Sequence, residues 1–158
     1  MTDLPLKFAA PVTLAGGGAL EPSMLEEARL HAPHLVAADG AADRLMGFRL
    51  TPEAVIGDLD SLKDQAALPA TTRVIHLAEQ ESTDFEKCLY ATEAPFYLAA
   101  GFNGRRVDHM LAVFHGMLRY PEKTVILIGE AEVMALVPPG RPLRLGLWPG
   151  ALVSLFPL

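Results

Sequence analysis

Leu35-Val36-Ala37-Ala38-Asp39-Gly40-Ala41-Ala42-Asp43-Arg44-Leu45-Met46-Gly47 decides the fold class. Four apolar residues make a short strand-like run, Asp39-Gly40 follows, and Ala41 to Met46 continues with helical spacing until Gly47 stops it. A strand that leads directly into a helix is half of a βαβ unit. The same order recurs along the chain, with apolar runs at Val12 to Ala15, Ala54 to Ile56, Val74 to Leu77, Phe96 to Ala99 and Val125 to Ile128. Between them, Pro22 to Ala32 reads as a helix with proline in its first turn. Thr83 and Glu86 form a capping box, after which Phe85, Cys88 and Leu89 give a helix its inward face. Val107, Met110, Leu111, Phe114 and Leu118 predict the buried stripe of the next helix. The predicted fold is α/β, a doubly wound, mostly parallel sheet with flanking helices, running to about Leu136. Pro138-Pro139-Gly140 breaks the pattern, and Leu143 to Leu158 is expected to form two short strands around Pro149-Gly150. Residues 1–137 are thus read as one α/β domain, and 138–158 as a linker and the start of a small β-domain.

Composition narrows the class of function. Of the 158 residues 51% are apolar and 20% charged, which excludes a disordered or fibrous chain. Thirteen basic against 19 acidic residues leave a net charge of −6, with no cluster of Lys or Arg, so neither nucleic acid nor an anionic membrane is expected as a partner. Cys88 is the one cysteine, which excludes an internal disulfide and fits a reducing compartment. Asp3 stands where a signal peptide would carry positive charge, and the longest charge-free stretch, Leu145 to Leu158, is interrupted by glycine and proline. The expectation is a cytoplasmic protein.

Ligands of open α/β sheets bind beyond the carboxyl ends of the strands, so the residues after each run form the candidate site. Gly16-Gly17-Gly18 follows the first run and is read first as a tight turn needing glycine for steric reasons. After the second run, Asp39 suits a helix cap and a ligand-binding role about equally, and Arg44 suits a solvated helix position or a phosphate partner. After the third comes Gly57-Asp58-Leu59-Asp60-Ser61, in which an extended chain would project Asp58 and Asp60 from one side. Two carboxylates so close repel unless neutralised, and a hard cation such as magnesium does that while leaving positions for phosphate oxygens. Turn aspartates on a solvated loop are the competing reading, which accounts less well for an Asp-x-Asp directly after a buried strand. Asp84 adds a third carboxylate at a helix start, where it is favourable even without a ligand. Arg105 and Arg106 precede another helix N-terminus, a place that prefers anions, and an incoming phosphate reconciles the two. His109, just inside that helix, is read as structural before it is read as a phosphate donor.

In this order the segments resemble thiamine pyrophosphokinase, which transfers a pyrophosphoryl group from ATP to thiamine. Four blocks carry the resemblance: Ala38 to Leu45; Pro52 with Ile56 to Ser61; Gln80 to Lys87; and Gly101 to His109 with its Gly-Arg-x-x-Asp-His ending. They span Ala38 to about Leu118, with Val125 to Gly129 agreeing in position. The resemblance implies that Asp58, Asp60 and Asp84 hold magnesium and the ATP phosphates, that Arg106 joins them in catalysis, and that Asp39, Gly40, Arg44, Gln80, Thr83, Lys87, Asp108 and His109 serve nucleotide binding. Three blocks depart from the family pattern: Glu79-Gln80-Glu81 replaces Asp-Gln-Asp, Ala41 and Asp43 replace glycine and asparagine, and Arg105 replaces a glycine. A C-terminal β-domain follows in the family and completes the thiamine site across a dimer; Ser154-Leu155-Phe156-Pro157-Leu158 resembles the opening of such a domain, left incomplete in this chain.

The implied chemistry is attack of the thiamine hydroxyl on the β-phosphorus of ATP with departure of AMP, catalysed by positioning and charge neutralisation. The competing readings are a pyrophosphokinase for another hydroxymethyl heterocycle, pterin-like, and a non-catalytic nucleotide-binding remnant. A metal-dependent glycosyltransferase is disfavoured by the Thr83-Asp84-Phe85 and Gly101 to His109 blocks. The resemblance implies ATP and thiamine as partners, and Leu145, Leu147, Trp148, Leu152, Val153, Leu155 and Phe156, in a nearly uncharged segment that seeks cover, are expected to pack in a homodimer or against further C-terminal residues.

Overall fold

The computed structural model describes residues 4–104 and 106–157. In chain order its elements are β1 (Leu6–Lys7), β2 (Val12–Ala15), α1 (Pro22–His31), β3 (His34–Ala38), α2 (Ala41–Gly47), β4 (Ala54–Gly57), a 3-10 turn (Gln65–Ala67), β5 (Arg73–His76), α3 (Asp84–Ala91), β6 (Thr92–Glu93), β7 (Tyr97–Ala100), α4 (Val107–Arg119), β8 (Val125–Ile128) and β9 (Val133–Ala135). Seven strands form one sheet in the order β5-β4-β3-β2-β7-β8-β9, parallel except for the last pair. The short β1 and β6 pair separately.

Period-two alternation places the core. Leu14, Val36 and Ile56 pack on one face of the sheet with Phe85, Cys88 and Leu89 of α3 and Val113 and Met117 of α4. Their neighbours Ala15, Leu35, Ala37 and Val55 pack on the other face with Leu25, Ala41 and Leu45 of α1 and α2. A strand covered on both faces is buried at every residue, as β2 and β4 are, and the polar Thr13 of β2 is accommodated by donating its hydroxyl to Ala32 O at 2.7 Å. The chain builds β2, β3, β4 and β5 outward in one direction and then returns through α3 to β7 on the other side of β2. That reversal marks the ligand-binding edge of a doubly wound sheet.

All six predicted strands form, within about a residue of their expected ends, and the predicted helices form with them. Two expectations need correction. The stripe of α4 is rotated: Val113, Gly116 and Met117 are buried, while Val107, Leu111 and Leu118 are exposed. Gly116 sets that rotation, since a Cβ there would lie 3.0 Å from both Glu86 Cγ and Phe85 Cδ1. Glycine lets α4 approach α3 this closely without displacing those side chains. The second correction concerns the end of the chain, where residues 143–157 form no strand. A turn closes at Pro149-Gly150, with Ala151 N–H donating to Trp148 O at 3.1 Å, but its flanks lack the neighbouring strand that a ladder needs.

Candidate active site

Two adjacent parallel strands end side by side, and the carboxylates that follow them meet. Asp39, directly after β3, adopts a left-handed backbone with φ 44°, which aspartate tolerates better than most residues. It is buried, and its Oδ2 accepts the backbone N–H of Ser61 at 3.2 Å. Its Oδ1 is also buried but has no hydrogen-bond partner among the described residues. Directly after β4, Asp58 and Asp60 flank Leu59, whose φ of 64° breaks the extended chain that the sequence suggested. The two acids come together by another route: Asp60 N–H donates to Asp58 Oδ1 at 3.4 Å, closing an aspartate turn. Asp39, Asp58 and Asp60 each offer a carboxylate oxygen within 4.8 Å of the others. Gly57 makes this crowding possible, because a Cβ at that position would lie 2.7 Å from Asp39 Cβ. Gly40 has a similar duty, its Cβ position lying 2.8 Å from Ser61 O.

The third acid expected in the metal set, Asp84 at the start of α3, is not one of the three carboxylates of that group but borders it: its Oδ1 lies 3.2 Å from where a Gly57 Cβ would stand, and Lys87 contacts both it and Asp58. The ammonium of Lys87 is 3.5 Å from Asp58 Oδ2 and 3.6 Å from Asp84 Oδ1, on a side chain only 2% exposed. Gln80 Nε2 donates to Asp58 Oδ2 at 2.6 Å. Its hydrogen bond is the main reason the Asp58 carboxyl is held below its ordinary range, with Lys87 assisting. Burial pushes Asp39 up against the opposing bonds from Ser61 and Gly40, and the Asp58 charge adds to the rise. Asp84 is likewise raised by burial first and by the charge of Asp39 second. Two carboxylates, Asp58 and Asp84, therefore share one buried cation, while burial resists ionisation of Asp84 and of the neighbouring Asp39. Oxygen donors this close, one with a buried lone pair unused, suit a hard divalent cation.

Other predicted residues have different occupations. Arg44 donates to the carbonyls of Gly18 and Leu20, the latter at 2.9 Å, so it fastens the glycine turn rather than standing free for phosphate. In that turn the Gly16 and Gly18 amides donate to Ala100 O and Gly101 O, which supports the steric reading of the glycines. Thr83 caps α3, its Oγ1 accepting from Glu86 N–H at 3.3 Å. Arg106 and Asp108 satisfy each other: Nε donates to Oδ1 at 3.1 Å, and a second bond joins Nη2 to Oδ2. Both are exposed, and the arginine holds the Asp108 carboxyl at about 2. No hydrogen bond or ion pair joins either to the acidic cluster among the described residues. The helix start that seemed to await an anion is thus already balanced by Asp108. His109 is exposed on the first turn of α4, and Arg105 lies outside the described residues. Glu79 accepts from Tyr90 Oη at 2.9 Å and from the backbone of Glu81 and Ser82, which makes it a loop anchor. The sequence reading missed Ser61, whose amide orients Asp39, and no side-chain pattern signals a backbone donor.

A family model described as thiamin pyrophosphokinase, catalytic domain, matches residues 25–128. The chain belongs to this family. Every acid of the cluster lies in the matched region, as do Gln80 and Lys87. Thiamine pyrophosphokinases 1 and 2 of Arabidopsis thaliana are 26% and 25% identical to it over 136 residues, covering 68% of this chain and 51% of each relative. The chain spans about half the length of the curated relatives it matches. Among solved structures, thiamin pyrophosphokinase from Candida albicans superposes with a TM-score of 0.62 at 14% identity, covering 79% of this chain and 60% of that one. The enzyme from Geobacillus thermodenitrificans gives 0.60 at 24% identity, covering 74% and 58%. These likenesses show that the doubly wound fold is shared.

Proposed function

We propose that this chain carries the catalytic site of a thiamine pyrophosphokinase, transferring a pyrophosphoryl group from ATP to the hydroxyl of thiamine and releasing AMP. The observation that carries the reading is the trio Asp39, Asp58 and Asp60 at the ends of β3 and β4, with the Asp39 Oδ1 lone pair buried and unused, inside the family region. Magnesium fits those donors, and when bound it supplies charge neutralisation to the phosphate oxygens of ATP. Asp39, Asp58 and Asp60 would hold it. Lys87 offers its ammonium to both Asp58 and Asp84, and Gln80 orients Asp58 through its amide. In the reaction the thiamine oxygen forms a bond to the β-phosphorus, the bridge from that phosphorus to the α-phosphate breaks, and the hydroxyl proton departs to solvent or a nearby base. Among the described residues at the head of α4, Arg106 would become available to phosphate once its Asp108 bond is exchanged. The acidic composition and single buried cysteine support a cytoplasmic setting, and among the described residues no helix is long and apolar enough to cross a membrane. The exposed apolar residues Leu152, Leu155 and Phe156 support association with a second copy.

Incubation with ATP, magnesium and thiamine, followed by nucleotide chromatography, tests the reaction. AMP and thiamine diphosphate in equal amounts are expected. ADP as the product, or AMP formed only with a hydroxymethyl pterin, overturns the assignment.

A further inference from the structure

Glu86 has 3% of its surface exposed, and its two carboxylate oxygens face different helices. Oε2 accepts the backbone N–H of Thr83 at 3.0 Å and the Thr83 hydroxyl at 3.2 Å, closing the box at the head of α3. Oε1 accepts from Arg119 Nη1 at 3.0 Å, and Arg119 is the last residue of α4. A buried carboxylate needs a charge partner, and among the described residues Arg119 is the cation paired with this one. The close seat at Gly116 brings the end of α4 onto Glu86 and Phe85. Asp84 and Lys87 leave α3 on the same turn, one on either side of Glu86 along the chain. The placement of Lys87 between Asp58 and Asp84 therefore depends on that turn being closed.

We propose that Arg119 is a positioning residue for the acidic site: acting through Glu86, it locks the first turn of α3 and so sets Lys87 and Asp84 against Asp58. Without the guanidinium, Glu86 turns out to water and releases Thr83. The first turn then frays, and the lysine that balances the acids is no longer held. A clamp serving stability alone would leave the cation site as it was. The inference rests on the acidic cluster being a cation site, but it does not require the pyrophosphokinase reaction.

The test compares the full chain with Arg119→Gln and Arg119→Lys, by amide hydrogen exchange and by calorimetric titration with magnesium chloride alone. Arg119→Gln is expected to speed exchange of the Glu86 and Lys87 amides about tenfold while β2 keeps its protection. It should weaken magnesium binding by about tenfold or more, the usual scale for residues that orient ligands from behind. Arg119→Lys, which keeps the charge, should recover most of both. If Arg119→Gln lowers the melting temperature while exchange and magnesium affinity stay within about twofold of the parent, the positioning role is wrong. Should the parent bind no magnesium, the cation reading fails by itself, and the exchange measurement still decides whether Arg119 locks the turn.

Discussion

Replacing Lys87 with methionine isolates the charge at the centre of the site, because methionine keeps the buried length of the side chain and loses only the ammonium. The ammonium lies 3.5 Å from Asp58 and 3.6 Å from Asp84. Each contact amounts to about 5 kcal/mol of gross attraction at an effective dielectric of about 20. Desolvation of the lysine cancels much of this, and removing one partner from a buried pair typically costs about 3–5 kcal/mol. Since the Asp84 side chain is 38% exposed and regains water, the lower figure of about 3 kcal/mol is expected for metal-free protein at pH 7. Urea unfolding should register a midpoint lower by about 1–2 M. The deficit carries a signature beyond its size. With the cation gone, Asp84, already raised by burial and by the charge of Asp39, loses the charge that opposes the rise, so the variant should recover stability as pH falls from about 7 towards 5. A loss below about 1 kcal/mol, or a deficit of the same size at both pH values, would refute the electrostatic argument and leave Lys87 as a packed stem.

Asp58→Asn and Asp60→Asn should each abolish nearly all magnesium-dependent turnover with an unchanged circular dichroism spectrum; activity near the parent level at saturating magnesium would break the cation assignment. Asp39→Asn should stabilise the metal-free protein by about 1 kcal/mol in urea, since it removes a buried anion whose pKa burial has raised, while calorimetry shows magnesium binding lost. The parent's own pH profile should pass through a maximum. Asp39 and Asp84, raised in the folded state, bind protons more tightly there than in the unfolded chain, so they contribute stability as pH falls through their folded values and remove it as pH rises. Asp58, Glu79 and Asp108 act in the opposite sense, the last two titrating at about 2 when folded against 4.5 and 3.8 when unfolded, so their contribution is present above those unfolded values and lost below them. Melting temperatures measured in steps from acid to neutral pH without magnesium check this, and a profile rising steadily to pH 7 would contradict it.

The sheet was legible because a strand covered on both faces is apolar at nearly every residue, so runs such as Val12 to Ala15 and Ala54 to Gly57 stand out with no knowledge of their neighbours. The rotation of α4 was not legible. Val107, Leu111 and Leu118 make as good a stripe on paper as Val113, Gly116 and Met117, and what decides between them is a close approach that rewards the absence of a side chain at position 116. The acids followed a similar division. Their presence after strand ends could be read directly, but which three share a site depends on β3 and β4 being neighbours, a tertiary fact. Asp39 joins Asp58 and Asp60 for that reason, and Lys87, three residues along the helix from Asp84, contacts both Asp84 and Asp58. Arg44 and Arg106 carry the lesson furthest. Each looked like a charge awaiting phosphate, yet the fold gives one the carbonyls of the glycine turn and the other the carboxylate of Asp108. A charged side chain takes the partner the chain supplies nearby, in the part-buried setting of Arg44 and at the exposed pair Arg106 and Asp108 alike. The group that marks the site is therefore the one left without a partner after this assignment, and among the described residues the buried side-chain oxygen in that condition is Asp39 Oδ1.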